Sequence, residues 1–172
     1  KMWSTMPWEA RCAIFLKASE VFAGTRSAEI NASTMLNQSK TCHQAEIDSA
    51  CELIDFWRFN SDYCRQIYED LQPPVSPSSM WNSSEVRPLE GFVFSVTPFN
   101  FSSIAANLPS SAAIMGNTGV WKPSRNCYVS NYRLMKLMMD AGLPNGVINF
   151  IPGKASVVGD ICMSHPELAG VH

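Results

Sequence analysis

The first part of the chain carries apolar residues at helical spacing, and residues 6–72 are predicted to form three helices. Pro7 stands where the first turn of a helix accepts proline, apolar residues recur every three or four positions after it, and Gly24 ends the stretch. A second, short helix is predicted over residues 27–36 and a longer third helix over 44–71. The apolar face assigned to the third helix consists of Ile47, Cys51, Ile54, Trp57, Cys64 and Ile67.

The helical pattern breaks at residues 73–79, where closely spaced prolines exclude a helix. Residues 80–89 alternate weakly between apolar and polar side chains, which predicts the two short strands of a hairpin. The chain therefore divides into a helical part at 1–72, a linker with a hairpin at 73–90, and a further part at 91–172.

From residue 91 onward, short apolar runs alternate with stretches of helical length. The predicted strands are 92–96, 120–121, 147–151 and 168–172, and the predicted helices are 101–115, 126–141 and 156–163. Strands joined by helices pair in parallel, so the fold class is α/β, a helical N-terminal segment followed by a parallel sheet. Ligands of such sheets bind outside the carboxyl ends of the strands. The residues that follow those ends are 97–100, 122–125 and 153–159.

Composition narrows the function classes. The 172 residues have a formal net charge of −2, which provides no electrostatic attraction to nucleic acid or to an anionic membrane. No apolar run approaches the roughly 20 residues that span a bilayer. The six cysteines include no Cys-x-x-Cys pair and the three histidines share no ligand spacing, so no metal site is predicted and the thiols are expected to be reduced and structural. Both ends look cut, which predicts a piece of a longer protein.

Three positions at the strand ends carry chemistry, each with an alternative. Asn100 suits either a helix cap or a donor to a developing oxyanion, and the residues alone favour the cap. Lys122 either reaches a ribose hydroxyl or phosphate, or is a solvated surface charge. Residues 153–159 open a helix whose free N–H groups either face a pyrophosphate or belong to a plain turn, and the turn is favoured from the residues alone.

The long third helix carries acidic residues at regular spacing. Asp48, Glu52 and Asp55 fall at i, i+4 and i+7 and therefore lie on one helix face. A solvated acidic stripe is the favoured interpretation.

Several short motifs together resemble the aldehyde dehydrogenase superfamily. Thr-Pro-Phe-Asn at 97–100 and Trp-Lys-Pro-Ser at 121–124 are the elements that identify the superfamily. The string at 52–60, which ends in Phe-Trp-Arg-Phe-Asn, is more specific for the delta-1-pyrroline-5-carboxylate dehydrogenases, a subgroup that oxidises glutamate semialdehyde in proline degradation. The resemblance covers nearly the whole chain, and its other segments are 6–11, 44–48, 87–93 and 142–150.

The resemblance implies a truncated, Rossmann-like NAD-binding domain with NAD as cofactor. It implies oxidation of an aldehyde to a carboxylate through a covalent thiohemiacetal and thioester. Asn100 would then donate to the aldehyde oxyanion, which reverses the preference for a cap, and Lys122 would bind the adenosine ribose. The other cofactor-binding positions implied by the resemblance are Val96, Thr97, Pro98, Phe99, Ser124 and Gly159. The substrate-side positions that it implies are Glu52 and Phe101.

Departures from the family pattern leave other interpretations open. Arg125 stands beside the ribose where the family usually has an acidic residue, which weakens the grip on a ribose diol and favours a 2′-phosphate. Lys154 and Ala155 add side chains where cofactor contacts with the backbone are expected. The alternatives are a catalytically dead nucleotide-binding or subunit-association remnant, and a related aldehyde dehydrogenase with another substrate.

The resemblance also carries expectations about the whole protein. The family's catalytic cysteine and general-base glutamate lie beyond the matching segments, so these 172 residues alone are expected to be inactive. The expected partners are a small aldehyde substrate and further copies of the same subunit, with the hairpin at 73–90 serving oligomerisation. The implied compartment is the mitochondrial matrix in a eukaryote and the cytoplasm otherwise.

Overall fold

One parallel sheet forms the second part of the molecule in the computed structural model, which describes residues 2–172. Its strands are β1 (Phe92–Val96), β2 (Thr118–Lys122), β3 (Ile148–Phe150) and β4 (Leu168–Val171). The order across the sheet is β3-β2-β1-β4, and every neighbouring pair is parallel. The predicted α/β class with a parallel sheet is confirmed.

Helices make up the first part of the chain and connect the strands in the second. They are α1 (Trp8–Ala23), α2 (Ser27–Gln38), α3 (Cys42–Ala45), α4 (Glu52–Arg65), α5 (Ser102–Ile114), α6 (Tyr128–Ala141) and α7 (Ala155–Met163). A π-helical segment, Glu46–Cys51, joins α3 to α4, and a second, Gln66–Asp70, extends α4, so the predicted third helix is continuous. It begins with a capping box, in which the Gln44 N–H donates to Thr41 Oγ1 at 3.2 Å and the Thr41 N–H donates to Gln44 Oε1 at 3.0 Å.

The buried face of this long helix differs from the predicted one in its first half. Ile47 and Cys51 are exposed, so their assignment to the core is wrong, whereas Trp57 and Cys64 are buried as predicted. The residues buried instead are small: Ala45, Ser49 and Ala50. They face inward because α2 and α5 both pack against the π-helical segment, and closely packed helices leave little volume for side chains between them.

Residues 73–90 form neither helix nor strand, so the hairpin predicted at 80–89 is wrong. Prolines at 73, 74, 77 and 88 lack the backbone N–H that a strand ladder needs. Side chains bind the backbone in its place: the Asn82 N–H donates to Ser76 Oγ at 2.8 Å, and the Ser84 N–H donates to Gln72 Oε1 at 2.9 Å.

The sheet is held against the helical part through α5 and β2. Helix α5 contacts β1, β2 and β3, and it also packs against α4. Two tryptophans are fully buried among these elements. Trp57 donates from Nε1 to Ser110 Oγ at 2.9 Å, and Trp121 of β2 donates from Nε1 to Thr97 Oγ1 at 2.9 Å. Burial of both rings with their N–H groups satisfied makes α4, α5 and the ends of β1 and β2 one packed unit.

Two kinds of feature are not found in the part of the chain that the structure describes. No helix among residues 2–172 is long and apolar enough to cross a bilayer. The same residues contain no group of three or more His, Cys, Asp or Glu side chains that could hold a metal ion. All six cysteines are free.

Candidate active site

The predicted site residues meet at one edge of the sheet. Val96 is the register partner of Lys122, and the Thr97 N–H donates to the Lys122 carbonyl at 3.2 Å. The Ile151 N–H donates to the Trp121 carbonyl at 2.9 Å, which brings the end of β3 to the same edge. The carboxyl ends of β1, β2 and β3 therefore lie at the same edge, as parallel pairing of the predicted strands requires.

Residues 97–101 follow β1 and are called here the exit of β1. The exit begins with a buried residue and continues with exposed ones. Thr97 is buried and its hydroxyl accepts the Trp121 N–H, so the exit keeps a fixed position relative to β2. Pro98 is half-buried, and Val96 and Phe99 are exposed. Because Thr97 is fixed and the residues after it are exposed, this segment can present side chains to a ligand.

Asn100 lies in this exit and does not cap the following helix. Helix α5 begins at Ser102, and the residue that precedes it in the cap position is Phe101, with extended backbone angles and no side-chain cap bond. Asn100 is exposed, and its amide group makes no hydrogen bond to any residue within 2–172. The cap interpretation is therefore wrong, and the amide donors are available to a ligand.

Two side chains from other elements bind the carbonyl groups of this exit. Cys127 donates from Sγ to the Phe99 carbonyl at 3.0 Å, and burial raises the pKa of the Cys127 thiol. Lys40 donates from Nζ to the Asn100 carbonyl and is paired with Asp48 at 2.6 Å. A cavity of about 260 Å³ lies between the end of α2 and this exit, lined in part by Lys40, Phe99 and Asn100.

Lys122, at the end of β2, has a largely buried side chain, and its ammonium group has no partner among residues 2–172. Its residue is 8% exposed, so the side-chain stem is packed while the ammonium group still reaches solvent. No acceptor for its ammonium group is found among residues 2–172. Lys122 lines a cavity of about 460 Å³ together with Arg125, Tyr128, Gly153 and Lys154. An unpartnered ammonium facing a cavity of this size fits a ligand that carries hydroxyl or phosphate oxygens.

The third exit leads into α7, whose first backbone N–H groups have no side-chain cap. The Tyr128 hydroxyl donates to the Gly153 carbonyl at 3.0 Å and ties this exit to α6. A Cβ at Gly159 would meet no atom within 4 Å, so nothing in the described chain occupies the space beside that helix position. Ser124 is half-buried, and its carbonyl accepts the Cys127 N–H at 3.0 Å in the turn after β2.

The substrate-side candidates lie close to the Asn100 exit. Glu52, the first residue of α4, accepts a hydrogen bond from Ser103 Oγ at 2.6 Å, so it packs against the first turn of α5. Phe101 lies under Lys40, whose Nζ is 4.5 Å from the centre of the ring. Because Asp48 and Glu52 both have partners, the predicted solvated acidic stripe is wrong for these two residues, and only Asp55 is exposed.

Sequence reasoning missed Lys40 and Cys127 as neighbours of the site. They contact residues 60 and 28 positions away in the chain, and no local spacing or motif indicates such contacts. The side-chain contacts of Lys40, beyond the end of α2, and of Cys127, after β2, with the exit of β1 appear only in the folded chain.

Comparison with known proteins decides the family. The sequence model of the aldehyde dehydrogenase family matches residues 1–172, which is the whole chain. The chain belongs to the aldehyde dehydrogenase family. The delta-1-pyrroline-5-carboxylate dehydrogenase of Agaricus bisporus is 48% identical over 170 residues, which cover 99% of this chain and 31% of that protein. The mitochondrial enzyme of that name from Homo sapiens is 43% identical over 172 residues, covering 100% of this chain and 30% of that protein.

Solved structures of the family show the same fold. The delta-pyrroline-5-carboxylate dehydrogenase of Mycobacterium tuberculosis, solved with bound NAD, superposes with a TM-score of 0.97 at 50% identity and covers 99% of this chain and 32% of that one. A 1-pyrroline-5-carboxylate dehydrogenase from Thermus with bound NAD superposes with a TM-score of 0.90 at 26% identity, over 99% of this chain and 33% of that one. This aldehyde dehydrogenase chain thus spans about a third of the length of these relatives.

Proposed function

We propose that the chain is the cofactor-binding segment of a longer NAD-dependent aldehyde dehydrogenase that oxidises L-glutamate γ-semialdehyde to glutamate. The semialdehyde is the open form of delta-1-pyrroline-5-carboxylate, the compound in the names of the relatives. The observation that carries the proposal is that two polar groups without a partner among residues 2–172, the Lys122 ammonium and the Asn100 amide, follow the ends of adjacent strands. In the balanced reaction, aldehyde, NAD⁺ and water give carboxylate, NADH and two protons.

The residues at the edge divide the binding of NAD between them. Lys122 binds hydroxyl groups of the adenosine ribose from its cavity, and Ser124 contacts the adenosine half through its backbone. The nicotinamide side is assigned to Val96, Thr97, Pro98 and Phe99, and the open position beside Gly159 is assigned to the cofactor. NAD, when bound, accepts a hydride from the substrate carbon.

Asn100, Glu52 and Phe101 are assigned to the aldehyde side. The Asn100 amide donates a hydrogen bond to the carbonyl oxygen as negative charge develops on it, and it does so without losing a proton. Glu52 and Phe101 line the aldehyde pocket. Glu52 is oriented by the Ser103 hydroxyl, so its carboxylate keeps a fixed position near the start of α5.

One observation favours a different cofactor. Lys122, Arg125 and Lys154 line the same cavity, and the lining contains no acidic side chain. Three cations around one cavity favour a ligand with an additional phosphate, as in NADP. Titration of the full-length enzyme with NAD and with NADP separates the two, because the Arg125→Glu variant should shift the preference towards NAD only if Arg125 contacts a 2′-phosphate.

Loss of the Lys122 ammonium should weaken cofactor binding. We expect Lys122→Met to raise the Kd for NAD about tenfold or more, since a hydrogen bond from a charged donor contributes about 1.5 kcal/mol or more. Isothermal titration of the full-length enzyme measures the Kd. Lys17→Met, which removes an exposed lysine of α1, is the matched control and should leave the Kd unchanged. An unchanged Kd in Lys122→Met would remove this residue from the site.

The 172-residue chain should not oxidise aldehydes by itself. Cys127 contacts the exit that carries Asn100, but it is buried and burial raises its pKa, which makes its thiol a poor nucleophile at neutral pH. Burial likewise raises the pKa of Cys162. We expect no aldehyde-dependent formation of NADH by the purified 172-residue chain. Turnover by this chain would contradict the assignment of the nucleophile to another segment of the protein.

Two further parts of the proposal concern the whole protein. We assign the linker at 73–90 to contacts between subunits, because it exposes Met80 and Trp81 and packs little of its own apolar surface. Several eukaryotic relatives are named mitochondrial, so we place the protein in the mitochondrial matrix if its source is a eukaryote and in the cytoplasm otherwise. Size-exclusion chromatography with light scattering tests the subunit contacts, since replacement of Trp81 by Ser should shift the oligomer towards the monomer.

The substrate itself is tested by turnover of the full-length enzyme. We expect NADH formation with glutamate γ-semialdehyde at a higher kcat/KM than with aldehydes of similar length that lack the amino acid end. A catalytically dead remnant would bind NAD without forming NADH from any aldehyde. A related dehydrogenase with another substrate would prefer one of the simple aldehydes.

A further inference from the structure

The ammonium group of Lys40 lies next to the exit of β1 and contacts three groups there. It is paired with Asp48 Oδ2 at 2.6 Å, donates to the backbone carbonyl of Asn100, and stands 4.5 Å from the centre of the Phe101 ring. An ammonium has three N–H donors, and these contacts give each a carboxylate, a carbonyl or an aromatic face to meet. The Lys40 side chain is 12% exposed, so most of it is packed, and it lines part of the cavity of about 260 Å³ at this exit.

We propose that Lys40 is a positioning residue that holds Asn100 in the geometry needed to stabilise the oxyanion. This rests on the proposed function of Asn100. The Asn100 side chain makes no hydrogen bond within residues 2–172, so its direction depends on where its backbone is held. Lys40 holds that backbone by the carbonyl group, directly adjacent to the Cα that carries the amide.

The same contact also controls an unfavourable dipole. A carbonyl oxygen that turned towards the substrate would repel the negative charge that develops there in the transition state. The hydrogen bond from Lys40 keeps the Asn100 carbonyl oxygen pointed at the ammonium and therefore away from the substrate. Asp48 makes this possible at a partly buried position, because its carboxylate compensates the charge of the lysine.

The elements that carry Lys40 and Asp48 support the proposed positioning role. Lys40 follows the end of α2 and Asp48 belongs to the π-helical segment Glu46–Cys51, a type of helix distortion often found at functional sites. Thr41, next to Lys40, caps α3 and therefore fixes the chain on that side of the lysine. Two anchored segments thus converge on the exit of β1, 60 residues further along the chain.

The test is kinetic and uses the full-length enzyme, with kcat expressed per titrated active site. Lys40→Met keeps the length of the side chain and removes the ammonium. We expect kcat to fall roughly 10- to 100-fold, because small displacements of a transition-state donor have effects of this size, while the Kd for NAD stays unchanged. Lys40→Arg keeps the charge and should restore part of kcat. Lys17→Met is the control for loss of a lysine and should behave as the parent.

A double-mutant cycle with Asn100→Ala separates positioning from a merely structural role. If Lys40 acts through Asn100, Lys40→Met has little further effect on kcat once Asn100 is alanine. The same fold-loss in both backgrounds, or a lower melting temperature with an unchanged kcat in the parent background, would overturn the proposal.

The single Asn100→Ala variant measures the proposed function by itself, so the two failures are distinguishable. A normal kcat in Asn100→Ala removes the oxyanion role of Asn100, whatever Lys40→Met shows. If Lys40→Met does not fold, Asp48→Asn takes its place, because it keeps an acceptor for the ammonium but removes the compensating charge. We then expect a smaller loss of kcat that also disappears in the Asn100→Ala background, and a loss of equal size in both backgrounds would again overturn the proposal.

Discussion

Replacement of Asn100 by alanine is expected to lower kcat of the full-length enzyme roughly 10²- to 10³-fold. The conversion of an aldehyde carbonyl into a tetrahedral adduct places negative charge on the oxygen. A preoriented amide stabilises this charge in a site with little water, and the loss of one such donor costs about 3 kcal/mol. Stopped-flow measurement of NADH formation reads the step before product release and gives the effect most directly.

The structure makes this prediction sharper because Asn100 supports nothing else. It is exposed, it does not cap α5, and its amide has no partner within residues 2–172. The melting temperature and the Kd for NAD of Asn100→Ala should therefore match the parent. Asn145→Ala, at an exposed turn, is the control and should change neither turnover nor stability. A variant that melts early but turns over normally when folded would show that Asn100 is structural.

The largest loss of stability is expected from Arg11. This residue of α1 is 2% exposed, and it donates from Nε to the Ile114 carbonyl at 2.8 Å and from Nη2 to the Tyr68 hydroxyl at 2.9 Å. It also donates to the Met6 carbonyl. Ile114 is the last residue of α5, where the helix dipole favours a cation. One guanidinium therefore joins the chain before α1, the end of the long helix and the end of α5.

Arg11→Met should lower the free energy of unfolding by about 3 kcal/mol, because it leaves one buried carbonyl, one partly buried carbonyl and one partly buried hydroxyl without their donor. Arg11→Lys should recover little, since a single ammonium cannot reproduce the planar set of donors. Urea denaturation followed by tryptophan fluorescence measures the change. Arg65→Met is a matched control: Arg65 has three carboxylate neighbours but lies at the surface, where its ion pairs contribute little. Equal urea midpoints for Arg11→Met and the parent would show that these hydrogen bonds of Arg11 do not stabilise the fold.

Features that depend on local pattern were predictable from the sequence. The four apolar runs become β1 to β4, and their parallel order then places Thr97 and Lys122 at one edge, since parallel strands end on the same side. The motifs at 97–100 and 121–124 assign the family without any structure. Local pattern is misleading where neighbours in space decide burial: it predicts Ile47 and Cys51 in the core, but both are exposed.

Other features depend on contacts that no spacing encodes. Asparagine is a favoured helix cap, but α5 begins at Ser102, so Phe101 and not Asn100 stands at the cap position. Whether Lys122 is solvated depends on the residues that surround it, and these come from the turns after β2 and β3. The contact of Lys40 with the Asn100 carbonyl requires α2 to end beside the exit of β1, which is a property of the packed chain.

We propose above all that the carboxyl edge of β1 and β2 binds NAD next to Asn100. A crystal structure of the full-length enzyme with NAD tests this directly. We expect a ribose hydroxyl within hydrogen-bond distance of the Lys122 ammonium and the nicotinamide ring beside residues 97–100. NAD bound at another edge of the sheet, or with its nicotinamide remote from Asn100, would rule out this site.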